Sequence, residues 1–125
     1  MPLFVILALG CGPGVNLAGD WEGVMICGED EFVTEVGPVE KIGGLFQGAG
    51  FIDYGNSNLG NRILSFDLEI EVLKADEFKV DMWDCELEYA GAFEATRCLE
   101  VDLSYDGEDA LEGTVEGCLL ELDRR

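Results

Sequence analysis

Apolar and polar residues alternate along most of the chain from residue 19 onward. This period of two is the pattern of β-strands that bury one face and expose the other. In the clearest segment, residues 63–73, acidic and hydroxyl side chains occupy one face, and the other face carries Leu64, Phe66, Leu68, Ile70 and Val72. A helix would instead place its apolar residues three and four positions apart. The pattern therefore predicts an all-β protein.

The same alternation predicts further strands, separated by turn-forming residues, at 21–27, 32–36, 39–42, 45–54, 78–89, 99–105, 111–117 and 120–122. A bulge is predicted near Trp83 and Asp84, where the alternation is interrupted. Residues 55–61 are predicted as a loop, and residues 89–96 are the one segment compatible with a helical turn. About eight short antiparallel strands with one buried face fit either a small up-and-down β-barrel or a β-sandwich.

Large apolar side chains on the predicted buried faces are expected to form the interior. They are Trp21, Phe46, Phe51, Phe66, Phe78, Met82 and Tyr105. In a barrel this small, we expect these side chains to fill the core rather than to line a cavity.

The composition excludes several classes of function. The chain has 125 residues, which is room for a single domain. It carries 27 acidic and 7 basic residues, so its formal net charge is −20. Because phosphate binding needs a basic surface, nucleic acid is excluded as the natural partner. The chain has no histidine, which excludes a Ser-His-Asp triad, a Cys-His dyad and a His-ligated zinc site.

The first ten residues form an uncharged apolar run that is followed by Cys11. The run is too short to span a bilayer, which takes about 20 apolar residues, but it has the length of a signal-peptide core. One alternative is that residues 3–9 form a buried N-terminal strand. The segment Ala8-Leu9-Gly10-Cys11 resembles the lipobox of bacterial lipoproteins.

The lipoprotein resemblance implies both processing and location. In that family the chain is cut just before the cysteine, which carries a diacylglycerol that holds the protein on a membrane. By this resemblance, residues 1–10 are a signal segment and Cys11 is lipidated. The protein would then lie in the bacterial cell envelope, at the periplasmic or outer-membrane face. Residues 11–18 have no charge and no regular period, so we predict a tether there and a folded domain over residues 19–125.

With Cys11 assigned to the lipid, four cysteines remain in the predicted domain: Cys27, Cys85, Cys98 and Cys118. An even number in an exported domain predicts two disulfides, and three connectivities are open at this point. A structural zinc site made of four thiols is the alternative, although no two of these cysteines have the C-x-x-C spacing.

Short motifs at the two ends of the domain bear on the choice between barrel and sandwich. Gly19-Asp20-Trp21 opens the first strand, and Arg124-Arg125 closes the last. This arrangement resembles the calycin superfamily of lipocalins, fatty-acid-binding proteins and avidins. The resemblance implies an up-and-down barrel in which Gly19 and Trp21 pack under Arg124, since an arginine can lie flat on an indole ring. It covers the two ends only, and no ligand-binding residues are carried over from it.

The barrel interpretation in turn predicts a disulfide connectivity. In an up-and-down barrel with an even number of strands, the end of the first strand lies beside the start of the last. Cys27 ends the first predicted strand and Cys118 begins the last, so these two are expected to bond. Cys85 and Cys98 then form the second bridge, between neighbouring strands.

The acidic residues lie mostly at outward positions of the predicted strands, and three interpretations of them are open. The first is a solvated acidic surface whose repulsion is screened by salt. The second is calcium binding at two turns, formed by Glu29, Asp30 and Glu31 and by Asp106, Glu108 and Asp109. The third is a docking face for a basic partner.

These observations favour a non-catalytic protein without cofactor, expected to be a monomer. The first hypothesis is a binding or structural module that holds a small apolar ligand in the barrel mouth, which would require a cavity above about 300 Å³. The second is an interaction partner of other envelope proteins. The third is a carboxylate-dependent hydrolase, which would need one carboxyl group in an apolar pocket with a raised pKa. We assign no catalytic residue.

Overall fold

The computed structural model describes residues 15–57 and 60–125, which form one antiparallel sheet and, within these ranges, no helix. The all-β prediction is confirmed. In chain order, the nine strands are β1 (Gly19–Cys27), β2 (Asp30–Ile42), β3 (Leu45–Ser57), β4 (Gly60–Lys74), β5 (Glu77–Tyr89), β6 (Ala92–Ala95), β7 (Val101–Tyr105), β8 (Ala110–Val115) and β9 (Cys118–Arg124).

The strands follow the order β6-β5-β4-β3-β2-β1-β9-β8-β7 across the sheet. Consecutive strands are therefore neighbours at every step except from β6 to β7. The first and last strands pair directly, with Trp21 opposite Arg124 and Gly23 opposite Leu122. The predicted adjacency of the two ends of the domain is thus present in the sheet.

The prediction of a closed barrel is wrong in one respect, the closure of the ladder, while the strand number is close to the eight expected. The sheet has nine strands, and its ladder does not close, because β6 and β7 are its two edges. Strand β6 is only four residues long and all of them are exposed, so none of its apolar side chains is buried in the core. The sheet nevertheless curls, and β7 comes to lie beside β5 along a seam, with Cα atoms within 8 Å. The Thr96 N–H donates to the Cys85 carbonyl at 3.0 Å and so continues the β5–β6 ladder past Ala95.

The inward side chains of all the longer strands pack into one apolar core. Its most completely buried side chains are Leu17, Trp21, Thr34 and Ile52. The Thr34 hydroxyl is satisfied by donating to the Phe32 carbonyl at 3.2 Å. Phe51, expected in the interior, instead lies on the outer face, because it alternates with the buried Ile52 and sits opposite the exposed Ser65.

Two glycines allow neighbouring strands to approach closely where the sheet bends. A Cβ atom on Gly23 would lie 1.8 Å from the carbonyl oxygen of Glu121, and one on Gly113 would lie 1.8 Å from that of Asp102. No side chain can occupy such a position, since both obstacles are backbone atoms. These glycines therefore permit the curvature that brings β7 round towards β5.

Local predictions differ from the structure at three places. Residues 55–61, expected to be a loop, lie largely within the β3–β4 hairpin, where Ser57 pairs with Gly60. Residues 89–96 form no helical turn but the β5–β6 hairpin, where Tyr89 pairs with Ala92. Residues 15–18, assigned to a tether, are packed on the domain, since Leu17 is fully buried. In each case cross-strand or core contacts outweigh the local sequence signal.

The β5–β6 hairpin offers a prediction about stability. Its two-residue turn consists of Ala90 (φ 52°) and Gly91 (φ 83°), both in the left-handed region. Asparagine tolerates this conformation better than alanine, and Asn-Gly is the preferred pair for such turns. We expect Ala90→Asn to raise the free energy of unfolding by about 0.5–1 kcal/mol, measured by urea denaturation. Ala92→Asn, on the adjoining strand, serves as the control and should bring no gain.

Candidate functional site

The interior of the curled sheet is filled by side chains. The cavity that remains there is about 20 Å³ and is surrounded by apolar residues, among them Trp21, Ile52, Phe66 and Leu120. Pockets for small organic ligands are usually about 300–1,000 Å³. The space is therefore smaller than a pocket for such a ligand needs to be.

The two ends of the chain meet at Trp21 and Arg124. The Arg124 guanidinium lies over the Trp21 ring, 4.5 Å from its centroid, and the indole N–H donates to the Leu17 carbonyl at 2.9 Å. A Cβ atom on Gly19 would lie 3.3 Å from the Arg124 side chain, so this glycine leaves room for it. Further acceptors of the guanidinium are the carbonyls of Asn16, Ala18 and Glu108, the Tyr105 hydroxyl and the Asp109 carboxylate. The cluster joins the N-terminal segment, β1, β9 and the β7–β8 loop.

The four cysteines of the domain form the two pairs that the barrel interpretation predicts. Cys27 and Cys118 join the end of β1 to the start of β9, across 91 positions of sequence. Cys85 and Cys98 join β5 to the segment that precedes β7, and so cross the seam. Two disulfides are typical of an oxidising compartment outside the cytoplasm. The predicted lipidation site, Cys11, lies outside the described residues.

The six predicted calcium ligands are not brought together. Glu29, Asp30 and Glu31 are all exposed around the β1–β2 turn. Within residues 15–57 and 60–125, no group of three or more Asp, Glu, Cys or His side chains is arranged to hold a metal ion.

The carboxylates of the second predicted calcium turn have other contacts. Asp109 pairs with Arg124 at 3.0 Å. The Asp106 carboxylate accepts hydrogen bonds from the backbone N–H groups of Glu108 (2.8 Å) and Ala110 (3.2 Å), which lower its pKa. Both carboxylates therefore stabilise the turn itself.

Glu116 links the β8–β9 turn to the segment that crosses the seam. Its carboxylate accepts from the Glu100 backbone N–H at 2.8 Å and from Arg97 at 3.1 Å. The hydrogen bond from Glu100 and then that from Arg97 hold the pKa of Glu116 below its usual range. A carboxyl group whose pKa is lower in the folded chain stabilises the fold above its unfolded pKa, and this contribution is lost as pH falls through the folded pKa.

The effect of Glu116→Gln should therefore depend on pH. We expect the variant to be less stable than the parent near about pH 6, and the difference to shrink as pH falls through the lowered pKa of Glu116. Urea unfolding at a series of pH values measures this. The control Glu112→Gln, at an exposed position on β8 opposite Glu121, removes a like-charge repulsion and should not lower stability near about pH 6. Parallel pH profiles for the two variants would contradict the role assigned to Glu116.

A groove on the outer face crosses strands β2 to β5, and we call it the outer groove. Its volume is about 400 Å³, and its lining includes Gly37, Ala49, Gly50, Phe51, Ser65, Asp67, Asp84 and Glu86. The ladder is irregular on both sides of it, at Gly37 in β2 and at Asp84 in β5, where φ is 53°. Strands β2 and β3 approach closely at its floor. A Cβ atom on Gly50 would lie only 2.6 Å from the Glu35 carbonyl oxygen, so glycine is needed at this position.

The outer groove combines aromatic surface with carboxylates that pair with no basic side chain of the described residues. Asp67, Asp84 and Glu86 form no ion pair with any residue of the described part of the chain. Trp83 lies opposite Asp67 on the same face and is 51% exposed, and Phe51 forms part of the wall. Cationic side chains bind such combinations through both the carboxylates and the ring faces.

A second concavity, of about 260 Å³, opens beside the seam and is lined by Tyr54, Arg62, Leu64, Leu87 and Arg97, among others. Burial raises the pKa of the Tyr54 hydroxyl, and the nearby charge of Arg62 acts in the opposite direction. Arg97 is already paired with Glu116, so this concavity is a weaker anion site than its two arginines suggest.

The acidic outer face brings like charges directly opposite each other in neighbouring strands. Examples are Glu112 and Glu121 on β8 and β9, and Glu69 and Asp81 on β4 and β5. Such pairs repel and destabilise the sheet. The described carboxylates are all at least partly exposed.

Salt is therefore expected to stabilise the protein. Raising sodium chloride from about 0.1 M to about 1 M shortens the screening length from about 10 Å to about 3 Å. We expect the melting temperature to rise by about 5 °C, equivalent to about 1 kcal/mol, and micromolar calcium to add nothing. Calorimetric scans at several salt concentrations test this. A sharp rise that only calcium produces would instead support the calcium hypothesis.

Comparison with known proteins identifies no relative. No family model matches the chain, and neither a curated protein nor a solved structure matches it. Where the structure describes the chain, it contains no helix with the length and apolar character needed to cross a membrane. Function must therefore be inferred from the residues of this chain.

Proposed function

We propose that this chain is a lipid-anchored protein of the bacterial cell envelope that acts without catalysis, through its outer surface, as an interaction partner of other envelope proteins. The observation that carries this proposal is the filled interior, with about 20 Å³ of remaining space. A carrier of small apolar ligands needs a pocket more than ten times larger. The partner must therefore bind outside the core.

The location rests on two features of the chain. The disulfides Cys27–Cys118 and Cys85–Cys98 support an oxidising compartment. The lipobox-like segment that ends at Cys11 supports a diacylglycerol anchor on a membrane of the envelope.

The relation to calycins is part of the same proposal. The meander order of the strands and the stacking of Arg124 on Trp21 support it, and the open seam between β5 and β7 is a departure from a closed barrel. A calycin-like shell with a filled core would be a scaffold for surface contacts.

The outer groove is the contact site that we propose for a partner. Its carboxylates, the exposed Trp83 next to it in the sheet and the net charge of −20 are complementary to a lysine- or arginine-rich segment. The charge of the whole domain would steer such a segment towards the surface, and the groove would bind it at short range.

Intact-mass spectrometry of the protein expressed in a bacterial membrane tests the anchor. We expect the mass of a diacylglyceryl group on a chain that starts at Cys11, together with the loss of four hydrogens for two disulfides. A Cys11→Ser variant should carry no lipid. An unmodified parent protein, found in the soluble fraction, would contradict the lipid anchor.

Calorimetric titration with a pentalysine peptide tests the outer groove. We expect the variant Asp67→Asn/Asp84→Asn/Glu86→Gln to bind about tenfold more weakly than the parent. The control, Asp102→Asn/Glu112→Gln/Glu121→Gln, removes the same charge from β7, β8 and β9 and should change affinity by about twofold at most. Trp83→Ala should also weaken binding. Equal losses in the two triple variants would mean that only the long-range field acts, and would contradict a groove.

A further inference from the structure

The outer face of three neighbouring strands, β2, β1 and β9, carries a group of aliphatic side chains. Val24 of β1 lies directly opposite Val33 of β2, and Ile26 of β1 lies directly opposite Leu119 of β9. The two β1 residues are two positions apart and therefore share one face of the sheet. We call these four residues the aliphatic patch. Because neighbouring strands lie about 4.8 Å apart, the four side chains form one continuous apolar surface.

The aliphatic patch faces solvent, since the residues that alternate with it face the core. Met25 lies between the two patch residues of β1 and is 3% exposed, and Leu120, which follows the patch residue of β9, is 5% exposed. In the patch itself, Val33 is 52% exposed and Leu119 is 55% exposed. Its two β1 side chains are partly exposed. Apolar surface thus meets water in a domain whose other outward faces are largely acidic.

Carboxylates form a rim around the aliphatic patch. Glu31 on β2, Asp53 on β3 and Glu121 on β9 each lie directly opposite one patch residue in the ladder. None of the three forms an ion pair with a basic side chain of residues 15–57 and 60–125. Contiguous exposed apolar surface with a polar rim is typical of protein–protein contact sites.

The rim stays negative where a basic side chain reaches it. Arg125 forms ion pairs with Glu22 and Glu35. These two carboxylates lie opposite each other at the next outward positions of β1 and β2, beside the aliphatic patch. Two carboxylates share one guanidinium, so the local charge remains negative. A second copy of the chain would place such rims face to face, where like charges repel, whereas a basic partner is attracted.

We propose that the aliphatic patch binds a partner protein through a segment whose aliphatic side chains are flanked by lysine or arginine. The aliphatic side chains of the segment cover the patch, and its basic side chains pair with Glu31, Asp53 and Glu121. Removal of apolar surface from water supplies attraction, and the complementary charges select the partner. The inference rests on the proposed role as an interaction partner, but the patch shares no lining residue with the outer groove.

Two synthetic heptapeptides test the proposal. In one, lysine alternates with leucine, and in the other serine replaces every leucine, so the two peptides carry the same charge. We expect the parent protein to bind the leucine peptide about tenfold more tightly than the serine peptide in calorimetric titrations. Equal affinities would overturn the proposal.

Paired variants locate the leucine preference on the protein. Threonine retains strand propensity, so Val33→Thr/Leu119→Thr should fold like the parent while its preference falls to about threefold or less. The control Ile42→Thr/Leu73→Thr changes side chains that are equally exposed, at 54% and 52%, at the ends of β2 and β4, and it should keep the tenfold preference. Equal losses in the two variants would overturn the assignment to the patch.

Methyl NMR of the unsubstituted protein gives the same answer without a variant. We expect the leucine peptide to shift the methyl signals of the aliphatic patch and to leave those of Ile42 and Leu73 in place. The serine peptide should shift neither group. Shifts confined to Ile42 and Leu73 would overturn the proposal.

The role of the rim and the choice of occupant are tested separately. Glu31→Gln/Glu121→Gln should weaken binding of the leucine peptide about threefold, and the control Glu71→Gln/Asp81→Asn, on β4 and β5, should change it less. Equal weakening would overturn the pairing of basic side chains with the rim. A parent protein that sediments as a dimer through these same side chains would assign the patch to a second copy and overturn the proposal.

The patch and the outer groove fail in distinguishable ways. Absence of a leucine preference in the parent would overturn the patch and leave the groove standing, because pentalysine has no aliphatic residue to cover the patch. A variant Asp67→Asn/Asp84→Asn/Glu86→Gln that binds pentalysine as the parent does, and keeps the leucine preference, would overturn the groove and leave the patch standing.

Discussion

Removing the Cys27–Cys118 disulfide, by substituting both cysteines with alanine, is expected to lower the free energy of unfolding by about 4–5 kcal/mol. The bridge closes a loop of 91 positions, and in the chain-entropy model the stabilisation grows with the logarithm of the loop length. Small domains have about 5–15 kcal/mol of stability in total, so the variant should be close to its folding limit at room temperature. Urea unfolding, followed by tryptophan fluorescence, measures the change.

The second disulfide provides the control for this prediction. Cys85–Cys98 closes a loop of 13 positions, for which the same model gives about 3 kcal/mol. The double variant Cys85→Ala/Cys98→Ala should therefore be more stable than Cys27→Ala/Cys118→Ala. The reverse order would show that closing the seam between β5 and β7 matters more than joining β1 to β9.

The strands and the first disulfide were predictable from the sequence for a physical reason. Period-two alternation is a local signal, and residues 64–72 carry it without interruption. Once the chain is read as a meander, Cys27 and Cys118 fall at neighbouring ends of adjacent strands. The pairing then follows from topology alone, and the structure contains it.

The sequence could not predict whether the sheet closes into a barrel. Closure requires the two edge strands, β6 and β7, to form hydrogen bonds with each other after the sheet has curled. Strand β6 is short and fully exposed, and its sequence, Ala92-Phe93-Glu94-Ala95, has no buried face. The alternation that identifies a strand does not reveal whether its free edge is paired. The Cys85–Cys98 disulfide instead joins β5 to the segment that precedes β7.

The outer groove was missed because its residues interrupt the alternation. Phe51 and Ile52 are adjacent and both apolar, so the pattern does not say which of them faces inward. The predicted bulge near Trp83 and Asp84 was the one available signal. A bulge changes the face on which the following residues lie, but its effect on surface shape requires the neighbouring strands.

The burial of Leu17 was also beyond the sequence. The surrounding uncharged segment has no period, and what holds it in place is Arg124, which lies more than 100 positions away along the chain. Residues 15–18, which the sequence assigned to a tether, thus lie on the packed domain.

Arg124→Met is expected to lower the free energy of unfolding by about 3 kcal/mol. Methionine retains the aliphatic contact with Trp21 but loses the stacked charge and every hydrogen bond of the guanidinium. The carbonyls of Asn16 and Ala18 would then lose their partner, and the N-terminal segment would detach from β1. The side chain is only 18% exposed, so water replaces these bonds poorly. Urea unfolding measures the loss of stability.

Arg125→Met is the matched control, one position further along the chain. Arg125 also forms ion pairs, with Glu22 and Glu35, but its side chain is 48% exposed. Exposed pairs contribute about 1 kcal/mol or less, so we expect a correspondingly small change. Arg124→Lys should fall between the two, because an ammonium group cannot reproduce the planar fork that reaches several acceptors at once. Equal losses for Arg124→Met and Arg125→Met would mean that charge alone matters, and that the contact between the first and last strands does not depend on the guanidinium.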